Sequence, residues 1–254
     1  MYGNERKWLL LAELIEHYKM HGVDHFYIYV KDMDDYTLKL IRHYEISGIA
    51  EVIFFRKYND RPGKEWQLVG NEDCLQRSRH HSRYAIFHDL DERIIPSGNV
   101  TLRCLIKQTM ESNSTIAMMA FAAQRVERTF RAPLEYKENY TLKRHLPTLL
   151  FHKANRRMWA GRHPKCLVDP RRVLLMWVHH VELYFPGYSG HKVALDKAIL
   201  RHYRDLTRAL PKRRLRHIAK WHNYVLVDYP TDLMPILFSN VEATLNQVYG
   251  SVKY

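Results

Sequence analysis

The stretch YAIFHDLDERIIP, Tyr84–Pro96, decides how this chain is read. It opens as a short apolar run of aromatic and β-branched residues, the composition of a strand covered on both faces. It then breaks abruptly into Asp89, Asp91 and Glu92. Acidic residues are depleted in strands and frequent in turns. Either the turn is ordinary and happens to be acidic, or the strand ends where a cation must be held. In a parallel sheet the ligand site lies beyond the carboxyl ends of the strands. Asp89 and Asp91 would reach that edge, and their carboxylates are hard oxygen donors that suit Mg²⁺ or Mn²⁺. A D-x-D triplet alone says little; at the end of an apolar strand in an α/β chain it says more.

Working outward, the pattern is α/β. Glu5–Met20 carries Trp8, Leu11, Ala12, Ile15 and Tyr18 at helical spacing, and Gly22 stands where a helix C′ residue belongs. His25–Val30 is β-rich. Asp34 or Asp35 caps a helix from Tyr36 to Ile46, Gly48 ends it, and Ala50–Phe55 is the next strand. A loop at Tyr58–Lys64 leads to a helix from Glu65 to about Arg79, on which Asp73 and Arg77 are spaced to pair. This alternation predicts βαβ units and a mostly parallel sheet. Beyond Pro96, TLRCLIKQTM reads as a helix and TIAMMAFAA as a strand. TLLFHKA and VLLMWVHHV are further strand candidates, AILRHYR follows the GYSGH loop, and a helix closes the chain from about Met234 to Val248.

Composition bounds the function. Forty Lys and Arg against 27 Asp and Glu give a net charge of +13 in 254 residues. Such a balance draws polyanions: nucleic acid, anionic membrane or nucleotide phosphates. No segment reaches the roughly 20 apolar residues needed to span a bilayer. Cys74, Cys104 and Cys166 have no metal-ligand spacing, and their odd number permits at most one internal disulfide. Three sequons, at Asn99, Asn113 and Asn139, lean toward the secretory pathway.

Four blocks in order then resemble a known family. GNERKWLLLAELIEHYKMHGVDHFYIYVKD, EWQLVGNEDCLQRSR, YAIFHDLDER and, late in the chain, RHYR at Arg201–Arg204 resemble glycosyltransferase family 92, particularly its nematode members. The resemblance covers roughly residues 3–250. It implies a GT-A-like, Rossmann-related mixed sheet flanked by helices. The implied activity is inverting transfer of galactose from a UDP-sugar donor to a glycan or glycoprotein acceptor, on the luminal side of the Golgi membrane. Carried over by position, Asp91 would ligate Mn²⁺ (or another divalent cation), and Asp89 would help hold the ion or the donor ribose. Asp73 and Arg77 would lie near the donor. A late histidine ligand is expected at His202, with His180 as the alternative. An Asp or Glu would serve as general base; Glu127, Glu135 and Glu182 fall in the right half, and nothing in the sequence separates them.

The resemblance also implies a departure. The family carries a strand just ahead of the GNE block, and that strand is missing from this chain, as is the family's membrane anchor. The reading is therefore one catalytic domain over residues 1–254, incomplete at its amino end, with 211–254 a basic segment and closing helix. Three alternatives stand beside it: an inactive truncated homologue, a haloacid-dehalogenase-type phosphotransferase, and a nucleic-acid binder built on PKRRLRHIAK at 211–220. No zinc spacing, RNA-recognition block or basic zipper supports the last, so nucleic acid is not an expected partner.

Overall fold

A computed structural model describes residues 1–3, 5–58, 61–98, 100–156, 164–205 and 224–250. The basic run at 211–220 and the sequon asparagine Asn99 lie outside the described residues.

The first half follows the expected rhythm. Helix α1 (Trp8–Met20) leads to strand β1 (Phe26–Val30), α2 (Asp35–Ile46), β2 (Ala50–Phe54) and α3 (Gly63–Ser78). Asp34 is the cap the sequence calls for: its carboxylate accepts from the Thr37 N–H at 2.9 Å and the Thr37 hydroxyl at 2.6 Å. Gly22 and Gly48 follow the ends of α1 and α2 at φ +87° and +74°, conformations that carry little penalty only for glycine. Strands β1 and β2 pair in parallel, with Phe26 opposite Ala50.

Strand β3 (Ala85–Phe87) is short, and the chain does not stop at the acidic triplet. It turns through His88–Asp91 and resumes as β4 (Glu92–Pro96), every residue of which is buried. Helix α4 (Leu102–Ser112) follows, then β5 (Ile116–Phe121) and β6 (Ala123–Arg128). The expected single strand TIAMMAFAA is thus two. At Ala122 the chain leaves one sheet for another, as it does at the acidic corner.

Two further expectations are corrected. TLLFHKA is not one strand. After α5 (Glu138–His145), Pro147 opens a single helical turn, α6 (Pro147–Leu150), and extended structure begins only at β7 (Lys153–Asn155). Proline lacks the N–H that a ladder needs but fits the first turn of a helix. VLLMWVHHV is a hairpin: β9 (Val173–Met176) and β10 (Val181–Tyr184) flank a turn closed by the Trp177 N–H donating to the His180 carbonyl at 2.8 Å. The remaining elements are β8 (Lys165–Val168), β11 (Ser189–Lys192), β12 (Ala198–Asp205), β13 (Tyr224–Leu226) and α7 (Met234–Tyr249).

The sheets are mixed, not mostly parallel. One runs β11-β5-β8-β3 and another β13-β7-β6-β12-β4, beside the β1-β2 pair and the β9-β10 hairpin. β12 pairs in parallel with β6 and antiparallel with β4. The fold is mixed α/β with helices flanking the sheets. Cys74, Cys104 and Cys166 are all free thiols.

Helix α1 is the hub of the core. Its apolar stripe is buried as expected, but so are Glu13, Glu16 and His17. Each buried polar group has partners. Glu16 accepts from Tyr44 at 3.0 Å, Thr244 at 3.1 Å and Lys19 at 2.8 Å. His17 lies 2.8 Å from the Tyr229 hydroxyl and 3.0 Å from the Ile94 carbonyl. Glu13 accepts from the Thr148 N–H and hydroxyl, and pairs with Arg93 at 2.8 Å with both side chains fully buried. Trp8 meets Tyr36, Tyr136 and Tyr249 edge-on, joining α1 to α2 and α7.

Removing one member of a buried ion pair leaves the other charge uncompensated, at a cost of about 3–5 kcal/mol. Arg93→Met should therefore destabilise the chain by about that amount in urea unfolding. Glu13→Gln combined with Arg93→Met should recover part of the loss, a non-additivity that a double-mutant cycle measures.

Candidate active site

The site is built on the corner between β3 and β4. The turn is closed from both ends: the Asp89 N–H donates to a Glu92 carboxylate oxygen at 2.7 Å, and the Glu92 N–H donates to the Asp89 carbonyl at 3.2 Å. From inside, the Arg93 guanidinium donates to the carbonyls of Leu90 at 2.8 Å and Glu92 at 2.9 Å. The corner is thus fixed before any ligand arrives.

Register brings the late histidine to it. β12 lies beside β4 with His202 opposite Glu92, and the Tyr203 N–H donates to the Asp91 carbonyl at 2.8 Å. His202 Nε2 is 3.3 Å from Asp91 Oδ2, and Nδ1 is 3.7 Å from Glu92 Oε1. The Nε2 contact is close enough for ion pairing but too poorly aligned for a hydrogen bond, so this buried nitrogen has no hydrogen-bond partner among the described residues. The structure joins Asp91 to His202, 111 positions later in the chain.

Asp89 points elsewhere. Its carboxylate accepts from Lys165 Nζ at 2.9 Å and from Gln67 at 3.3 Å, and its side chain is 43% exposed. Lys165 is 2% exposed and also lies 3.5 Å from Glu92 Oε2. The result is a row of alternating charge: Asp89, Lys165, Glu92, His202, Asp91.

This row sets the protonation states. Burial disfavours the Asp91 carboxylate, but His202, Arg128 and Arg204 overcome it and hold its pKa down at about 2. Burial pushes Glu92 up, with Asp89 and Asp91 adding to the effect. Burial opposes the charge on Lys165, yet Glu92 and Asp89 raise its pKa; His202 is likewise raised against burial, by Asp91 and then Glu92.

These residues fit a divalent cation at two positions. Asp91 is an ionised hard-oxygen donor, and His202, whose Nε2 ion-pairs with it at 3.3 Å, would be the other once that nitrogen gives up its proton. Their 3.3 Å separation is one that neighbouring ligands on a single ion also show. No group of three or more His, Cys, Asp or Glu among the described residues could hold a metal by itself. Ions of the Mg²⁺ type are commonly held by one or two carboxylates plus substrate phosphates, so two protein ligands suffice for such a site.

The other sequence candidates fall in three places. Asp73 and Arg77 pair at 3.0 Å, Tyr29 donates to Asp73 at 2.6 Å, and Arg77 reaches Glu51 at 2.7 Å. Burial opposes the Asp73 carboxylate, but Tyr29 and Arg77 lower its pKa. They brace α3 against β1 and β2, and α3 presents Trp66, Gln67, Gly70 and Asn71 to a cavity of about 940 Å³ that Asp89 and Lys165 also line. His180 and Glu182 bind one another at 3.0 Å on the exposed β9-β10 hairpin. Glu135 is exposed in the loop before α5. Glu127 lies on β6, directly beside β12. Pairing of His202 with Arg125 and of Arg204 with Glu127 puts Glu127 on the same sheet face as His202 and Glu92.

Sequence reasoning missed Lys165, Arg93 and Gln67 as parts of this site. Lys165 lies in a cation-rich, irregular stretch where nothing distinguishes one lysine from its neighbours. Arg93 adjoins the motif, but its burial shows only in three dimensions.

A model of glycosyltransferase family 92 matches residues 1–235. A Caenorhabditis elegans protein named beta-1,4-galactosyltransferase galt-1 is 25% identical over 214 residues. That alignment takes in 81% of this chain and 46% of the relative, so the chain spans about half the length of the protein it matches. With a family match over most of its length and the four sequence blocks folded around one acidic corner, the chain belongs to glycosyltransferase family 92.

Proposed function

We propose that this chain carries the donor site of a divalent-metal-dependent glycosyltransferase that moves galactose from UDP-galactose to a glycan acceptor with inversion. The observation that carries the reading is the meeting of Asp91 and His202 at a strand-end corner, in a chain of this family. The galactose follows the name of the nematode relative. Residence in the Golgi lumen follows the family resemblance and the sequons.

In this reading Asp91 and His202 would hold Mn²⁺, and the ion would supply Lewis-acid stabilisation to the departing diphosphate. Lys165 balances Asp89 and Glu92 and keeps Asp89 oriented for the donor ribose. Arg128 and Arg204 surround Asp91 with positive charge, which favours an anionic donor. Glu127 is the general base of choice among the three glutamates, because it alone of them shares the His202 face. It would take the proton of the acceptor hydroxyl as that oxygen attacks the anomeric carbon from the side opposite the leaving diphosphate.

Asp91→Asn should reduce Mn²⁺-dependent hydrolysis or transfer of UDP-galactose by more than the ~10–100-fold typical of groups that only orient a metal ligand. His202→Ala should cost less. Activity and Mn²⁺ binding by calorimetry, each with and without chelator, test both. Full binding and turnover by the asparagine variant would remove the metal from this corner.

Of the two sequon asparagines among the described residues, Asn113 is the exposed one. It follows α4, and its side-chain oxygen accepts from the Thr115 N–H and hydroxyl at 2.9 and 2.8 Å. Thr141 of the Asn139 sequon is buried in α5. Expression through the secretory pathway of animal cells should give a glycosidase-sensitive mobility shift that Asn113→Gln abolishes or reduces. Absence of any shift would count against luminal residence.

A further inference from the structure

The β9-β10 hairpin ends beside the acidic corner and presents an exposed tryptophan there. Its turn is closed by the Trp177 N–H on the His180 carbonyl, with Val178 and His179 between them. Val178 lines the same cavity as Asp89 and Lys165. Its neighbour Trp177 is 46% exposed, although an indole has more apolar surface to bury than almost any other side chain.

Bonds from both sides tie this turn to the elements that build the corner. From α3, Gln67 donates to the Asp89 carboxylate at 3.3 Å. Four residues on, along the same helix face, Asn71 donates to the Trp177 carbonyl at 3.3 Å. The adjoining Glu72 accepts from the Met176 N–H at 2.6 Å. From β8, Lys165 binds Asp89 at 2.9 Å while its neighbour Cys166 donates to the His179 carbonyl at 3.3 Å. Both paths hold Trp177 about one helical turn from Asp89. The backbone under the indole is therefore fixed, and its exposure is not that of a loose loop.

The surroundings of Trp177 combine an apolar face with polar groups. Leu175 and Leu183 stand opposite one another on the hairpin, 40% and 50% exposed. His180 and Glu182 bind each other at 3.0 Å in the open. A pyranose ring matches this combination. One of its faces is a patch of polarised C–H groups, which stack on the electron-rich face of an indole. Its rim is a set of hydroxyls, which pair with groups such as His180 and Glu182.

We propose that Trp177 is the stacking platform for a pyranose ring of the acceptor glycan, with His180 and Glu182 bonding that ring's hydroxyls. This rests on the donor site proposed above. An acceptor whose hydroxyl reaches a donor held at the corner brings its neighbouring rings over the rim where Trp177 stands. The Glu182 carboxylate at the same turn disfavours the donor's diphosphate and suits a neutral ring. The two residues that the sequence offered as a metal ligand and a general base thus serve the acceptor instead.

Saturation-transfer NMR titration of the 254-residue chain tests this, with the methyl pyranosides of glucose, galactose, mannose, N-acetylglucosamine and fucose as probes. UDP with Mn²⁺ is titrated separately, so the donor site is read independently of the platform. At least one pyranoside should bind. Trp177→Phe, which keeps an aromatic face, should hold its affinity within about threefold, and Trp177→Ala should weaken it by about tenfold or more. Leu183→Ala, exposed on the same hairpin, should leave it unchanged. UDP should bind the parent chain and Trp177→Ala alike. The proposal is overturned if no pyranoside binds, if Trp177→Ala binds as well as the parent, or if Leu183→Ala loses as much. Loss of UDP in step with the pyranoside in Trp177→Ala would make the turn part of the donor site and also overturn it. Trp177-dependent pyranoside binding by a chain that takes no UDP would uphold the platform and remove the donor reading.

Discussion

The structure turns on one buried guanidinium. Arg93 is fully buried and donates to the carbonyls of Leu10, Leu90 and Glu92 while pairing with Glu13. Those contacts tie the middle of α1 to the corner where the chain passes from β3 to β4. A corner between two sheets leaves carbonyls facing inward with no strand to receive them, and orphaned buried carbonyls are costly. Arg93 answers two of them with one side chain. It also accounts for a helix buried on all sides, because Glu13 must enter the core to neutralise it. The net stability gained by a buried pair of this kind is small. Its consequence is positional: α1 and the acidic corner cannot shift independently.

How much of this could be read beforehand depends on whether the signal was local. The helices α1, α2, α3 and α4, the cap at Asp34, the pair Asp73–Arg77 and the strand end at Asp89–Asp91 rest on periodicity or short-range chemistry, and the structure has them all. The expectation failed where a single apolar run crosses a sheet boundary. YAIFHDLDERIIP read as a strand ending in an acidic turn and TIAMMAFAA as one strand, yet each contributes to two sheets, because a change of sheet needs only a bent residue or two. TLLFHKA failed for a local reason, Pro147, which the run of leucines obscured. His202 came from a family resemblance, and only the β4-β12 register explains why it belongs with Asp91. The family assignment also sets aside the phosphotransferase reading of the same D-x-D triplet.

The alternating row of charge completes the argument. Asp89, Glu92 and Asp91 lie within four residues, and three like charges so close would repel in a partly buried corner. Lys165 arrives from β8 and His202 from β12, each placed between two of the carboxylates. Each cation comes from a strand that also builds one of the two sheets meeting here: β8 pairs with β3, and β12 with β4. The strand pairing that builds the two sheets thus also brings the compensating charges to the corner. The arrangement also divides the two aspartates. Lys165 satisfies Asp89 within the chain, whereas the His202 contact leaves a ring nitrogen without a hydrogen bond next to an ionised Asp91. In the proposed reading the cation would enter at Asp91, and that asymmetry, more than the triplet itself, distinguishes this corner from an ordinary acidic turn.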